Sequence, residues 1–161
     1  MGTLARIPLI EDLTKGPIPS GSFLLVEFTG ASQWYNASFT ITAGWLKTEG
    51  KVFYISWTHQ PDDVRAKINR LGINSEQLEK EEKLVIVDSY TATLGKKSTE
   101  KHEFSSLKVA DLSIWISRES MHIPQVSNQL IIEENPISTL VRFNDEKSVI
   151  ELLLSRLIPS I

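Results

Sequence analysis

The sequence predicts one α/β domain, a mostly parallel sheet covered by helices on both faces in three layers. Three observations predict it. Short β-branched apolar runs alternate with helical segments, as right-handed βαβ crossovers require. Each run is continuously apolar rather than alternating, the pattern of strands buried on both faces. The chain has 161 residues, and at roughly 100–200 residues per domain that length builds one unit, 1–161, around one core.

The elements follow in order. Gly16-Pro17-Ile18-Pro19-Ser20-Gly21 is a turn-rich entry to a first strand over 22–27. A helix over 34–47 is marked by apolar Trp34, Ala37, Ile41 and Trp45, with Gly50 as its stop. Thr40, Ile41 and Thr42 are poor helix formers within it. The second strand is Lys51 to Trp57, the third Lys83 to Asp88, and the fourth Gln129 to Glu134. Between the second and third, a helix from Pro61 to Leu71 has Asp62 and Asp63 in its first turn and Gly72 behind its last. A short charged helix runs from Ser75 to Glu82. Longer helices cover Ser106 to Arg118 and Asn144 to Leu157, the last with Asn144 as N-cap and Asp145 and Glu146 behind it. Lys96 to Glu103 is the longest polar stretch and reads as an exposed loop.

Composition excludes several function classes. Lys+Arg 17 against Asp+Glu 20 gives a net charge of -3, so no overall basic field favours nucleic acid. No apolar stretch approaches the roughly 20 residues needed to cross a bilayer, and no membrane role is expected. Met1 to Arg6 lack the features of a signal peptide, so the expected location is cytoplasmic. Zero cysteines exclude disulfides, thiolate metal sites and cysteine nucleophiles.

Ligands of parallel sheets bind beyond the carboxyl ends of the strands, so the turn from Glu27 to Asn36 is the first place to look. A phosphate loop needs several glycines, a Lys for the outer phosphates and a Ser or Thr for Mg²⁺. Only Gly30 is present, and Trp34 and Tyr35 stand where the Lys and the hydroxyl belong. His59 with Asp62 and Asp63 could form a base or metal site; as a loop residue and two helix-terminal acids they have the simpler reading. Glu133 and Glu134 are neighbours on a strand and point to opposite faces, which disfavours a shared metal. His102 and His122 lack a partner at helical or strand spacing. Lys96, Lys97 and Lys101 form a solvated cluster too small to claim nucleic acid. Trp45 is expected in the core, whereas Trp34, Tyr35 and Trp57 fall at the ligand edge and could stack on a base or plug the cleft.

The residues also resemble a family. Gly16 to Ser22 followed by a strand resembles the entry to the first strand of KaiC-like ATPases of the RecA superfamily. Lys51-Val52-Phe53-Tyr54-Ile55-Ser56, Gln60 to Arg65, Arg70-Leu71-Gly72-Ile73 and Lys83 to Tyr90 are similar to successive segments of that family. Ile137 to Leu140 with Phe143 to Glu146 resembles the segment after its Walker B strand. The resemblance implies a RecA-like, P-loop NTPase-type fold in truncated form. In its register Trp34 replaces the Walker A lysine and Tyr35 the magnesium-binding hydroxyl residue. Thr58 and His59 fall at the family's paired catalytic glutamates, and Asn135 best matches the Walker B aspartate. What remains of a nucleotide cleft is Thr29, Gly30, Ser32, Trp34, Tyr35, Trp57 and Glu134.

These departures imply no cofactor, with ATP as the one candidate, and no ordinary Mg·ATP hydrolysis. The expected function is a non-catalytic, KaiC-like protein working through protein contacts, as a regulatory or structural subunit. The alternative is a nucleotide or single-stranded nucleic-acid binder that uses aromatic stacking. The chain stops after the helix that follows the Walker B strand, which reads as a natural short form rather than a fragment. The family strand between Walker B and the first strand is then missing, so Phe23–Glu27 must pair with Leu130–Glu134 or a strand must come from a second molecule. The last helix carries Val149, Ile150, Leu152, Leu153, Leu154, Leu157 and Ile158, more than one face needs. A homodimer or stable hetero-complex through this helix and the sheet edge is expected.

Overall fold

The computed structural model describes residues 4–5, 8–19, 22, 24, 26, 34–48, 50–106, 111, 114–115, 118, 129–134, 147 and 150. Three parallel strands carry the fold: β3 (Lys51–Ser56), β4 (Leu84–Asp88) and β5 (Gln129–Glu133), in the order β4-β3-β5. Phe53 lies in register with Val85 on one side and Ile131 on the other. Before them, β1 (Leu4–Ala5) and β2 (Ile18–Pro19) pair antiparallel around α1 (Pro8–Thr14), none of which the sequence reading anticipated.

Alternation along β3 divides its side chains between two helix layers. Val52 and Tyr54, with Leu84 and Ile86 of β4, pack with Phe39, Trp45, Leu46, Val64 and Ile68 in one buried cluster. Phe39, Trp45 and Leu46 come from α2 (Trp34–Lys47), Val64 and Ile68 from α3 (Pro61–Arg70). On the opposite side Phe53 meets Trp115, ring centroids 6.1 Å apart, and Phe104 lies 5.9 Å from Trp115. Asp111, Ile114, Trp115 and Arg118, the described residues of the helix expected after Ser106, are helical. The sheet therefore has helices on both sides.

The buried face of α2 is offset from the one that 34, 37, 41 and 45 mark. Phe39, Thr42, Ala43, Trp45 and Leu46 are buried, because Phe39 and Leu46 bring the larger apolar area to the sheet. Thr42 tolerates burial by donating its hydroxyl to Ser38 O at 2.8 Å. Trp45 is in the core, as expected, and a side chain at Gly50 would collide with its indole. Pro61, Asp62 and Asp63 open α3, and Gly72 follows it at φ +80, as the sequence requires. In α4 (Ser75–Lys80) Asn74 Oδ1 caps the amide of Gln77 at 3.1 Å.

Two expectations need correction. β5 is not covered on both faces: Ile131, in register with Phe53, is 52% exposed, so the layer that meets Phe53 through Trp115 does not extend over it. Of the strand expected over 22–27, Ser22, Leu24 and Val26 stand in no strand and Leu24 is 44% exposed; its other residues lie outside the described ones. The pairing of Phe23–Glu27 with Leu130–Glu134 falls outside them too. Lys96 to Glu103 is a loop with Lys96, Lys97, Thr99 and Lys101 exposed, as expected, and its end is tied to β4: Asp88 N–H donates to His102 O at 2.9 Å, and Phe104 N–H to Asp88 O at 3.0 Å. Of the helix over 144–157, Lys147 and Ile150 are helical and the rest lies outside the described residues. No described helix is long and apolar enough to cross a membrane.

Candidate functional site: a buried polar array at the carboxyl ends of β3 and β5

Strand parity brings the site together. Ser56 ends β3 on the same face as Val52 and Tyr54, and Glu134, one residue past β5, shares the parity of Leu130 and Ile132. The amide of Glu134 donates to Ile55 O at 3.0 Å, extending the ladder and setting its carboxylate beside Ser56. Ser56 is fully buried and Glu134 is 5% exposed. The Ser56 hydroxyl lies 3.0 Å from Glu134 Oε2 and 2.8 Å from His59 O, and accepts from His59 N–H at 3.3 Å. These contacts fold the turn between β3 and α3 so that His59 Nδ1 meets Glu134 Oε1. On its other side His59 Nε2 is 3.0 Å from Lys67 Nζ of α3.

The partners dictate the tautomer. An ammonium only donates, so Nε2 carries the lone pair and Nδ1 carries the proton that faces Glu134. His59 thus stands between a carboxylate and an ammonium. Thr58 Oγ1 lies 3.2 Å from the same Nδ1. Lys67 Nζ sits 4.7 Å above the Phe39 ring, which is edge-on to His59 at 5.9 Å and stacked on Tyr54 at 5.6 Å. The Tyr54 hydroxyl is 3.2 Å from Ser38 Oγ. Burial first, and then the Glu134 charge, push the Tyr54 phenol well above its ordinary range, so it remains protonated.

A second polar station stands at the end of β4. Asp88, 2% exposed, accepts from Tyr90 N–H at 3.0 Å, Thr91 N–H at 2.9 Å and Ser98 Oγ at 2.6 Å. It is spent on capping the 3-10 turn Thr91–Leu94 and anchoring the following loop. Arg65 completes the tie, bonding Glu100 at 2.9 and 2.6 Å, Glu79 at 3.0 and 3.1 Å and Asp62 at 3.0 Å. The bond to Glu100 is the chief reason its guanidinium is held charged beyond its ordinary range.

Of the residues singled out in the sequence, Glu134 and His59 come together, and His59 is more than a loop residue. Asp62 and Asp63 stay at the exposed start of α3, Asp62 turned to Arg65. Trp34 and Tyr35 form the first turn of α2. Thr29, Gly30, Ser32, His122 and Asn135 lie outside the described residues. Trp57 is only 2% exposed and packs edge-on against Phe104 at 6.3 Å, so it is a core side chain and not an open platform. Sequence reasoning missed Ser56, Tyr54 and Lys67; the shared strand parity of 54 and 56 is the signal that could have found the first two.

A family model described as "ATPase: KaiC" matches residues 5–140. The chain belongs to the KaiC ATPase family. No curated protein matches it. In this KaiC-family domain the polar array occupies the carboxyl ends of the parallel strands, the edge where ligands of such sheets bind.

Proposed function

We propose that this KaiC-family chain does not hydrolyse ATP and acts through protein contacts, as a regulatory or structural subunit. The observation that carries the reading is the closed array around His59. Phosphoryl transfer needs a cation on the phosphates, a metal ligand and a group that orients the attacking water. In the register of the sequence resemblance, Thr58 and His59 replace the glutamates that serve the water. Nδ1 of His59 is engaged by Glu134 and Nε2 by Lys67, so both ring nitrogens face protein groups. Trp34 and Tyr35 replace the lysine and the hydroxyl in the same register, and Asn135 the Walker B aspartate. A steady-state assay with Mg·ATP is expected to give turnover no higher than buffer. Turnover that disappears in Glu134→Gln would overturn the reading.

Protein contacts are supported by apolar side chains left at the surface. Ile131 of β5 is 52% exposed beside Phe53, and Ile114 and Ile150 are 56% and 44% exposed. A homodimer, or a hetero-complex with another protein, would cover them. Sedimentation at high concentration is expected to show a dimer for the isolated chain, and Ile131→Lys to weaken it. A monodisperse monomer at every concentration would leave only the hetero-complex.

A further inference from the structure

The array contains a contact that a single added proton would disrupt. Lys67 and His59 stand 3.0 Å apart, nitrogen to nitrogen, which is a hydrogen bond only while His59 Nε2 has a lone pair. A protonated imidazole would turn an N–H toward the ammonium and set two positive donors face to face. The pair with Glu134 on Nδ1 would survive that change, and strengthen. Lys67 is the partner with somewhere to go, being half-buried, on a flexible stem and at the surface of α3.

We infer that Lys67, His59 and Glu134 form a proton-operated latch: neutral His59 holds Lys67 at the seam of α2 and α3, and the imidazolium releases it. The latch rests on the closed array proposed above to replace catalysis, and it regulates that same site. β5 ends in Glu134, which favours the imidazolium; α3 brings Lys67, which opposes it, and exposed Asp63 one turn earlier. α2 contributes the uncharged Phe39 ring, and β3 contributes Tyr54, which stays protonated, and Ser56. Release removes the ammonium from the face of Phe39, loosening one of the ties between α3 and α2.

The test is a pH titration of the full chain by nitrogen-detected NMR. At neutral pH the His59 ring is expected as the Nδ1–H tautomer. Contacts between the Lys67 side chain and the Phe39 ring should vanish across the same midpoint at which His59 takes its proton. Lys67→Met should raise that midpoint by about one pH unit, and Glu134→Gln should lower it. Lys67→Gln gives the same readout if the methionine variant does not fold. An Nε2–H tautomer, a Lys67–Phe39 contact that persists once His59 is charged, or an unmoved midpoint in the Lys67 variants would each overturn the latch. None of these readouts depends on ATP turnover, so the latch and the absence of hydrolysis can fail separately.

Discussion

Replacing Trp57 with alanine is expected to lower the unfolding free energy by about 4 kcal/mol, as for other large-to-small changes at buried aromatic positions. Its ring is 2% exposed and meets Phe104 edge-on, and Phe104 in turn meets Trp115. Removing it opens a cavity beneath the layer that covers Phe53. Urea unfolding followed by circular dichroism measures the change, with the slope unaltered. A ligand-stacking tryptophan at an open edge would behave in the opposite way, costing well under 1 kcal/mol. A small loss would therefore return Trp57 to the cleft.

Glu134→Ala is the second large effect, a loss of about 3 kcal/mol. The substitution removes the acceptor that faces both Ser56 Oγ and His59 Nδ1. Glu134→Gln keeps the shape and an acceptor oxygen, and is expected to lose about 1–2 kcal/mol. The ordering of the two variants, read by the same denaturation, separates charge from packing. Equal losses would show that the charge alone carries the effect, and a Glu134→Gln variant as stable as the parent would show that the carboxylate only fills space.

The sheet was legible because its signals are local. Lys51 to Ser56 and Leu84 to Asp88 are short apolar runs bounded by turn residues, and Pro61 with two acids can hardly begin anything but a helix. Membership in the family was legible through the same segments. The small pairing of Leu4–Ala5 with Ile18–Pro19 was not, since two residues carry no periodicity. Neither was the exposure of Ile131, because an apolar residue in a strand does not announce whether a layer will cover it. The site was half legible. Glu134 and His59 could be named, but not joined, because nothing local links a turn after one strand to the end of another. Only the parallel register of β3 with β5 puts them side by side. Lys67 was invisible for a plainer reason: on α3 it looks like one more basic residue in a last turn.

The chain closes on itself over two different distances. Arg65 and Glu100 are 35 residues apart, whereas Ser56 and Glu134 are 78 apart. Loop-closure entropy makes the longer ring about 0.7 kcal/mol more costly than the shorter, before any contact rewards it. Assembly in order of increasing ring size would build the body from β3 to the tied loop first and dock β5 afterwards. Until that docking, Ser56, His59 and Lys67 wait without their carboxylate. In that order Glu134 would arrive with β5 and complete the polar cluster last. In a chevron, a late contact of this kind raises the unfolding rate of Glu134→Gln and spares its folding rate.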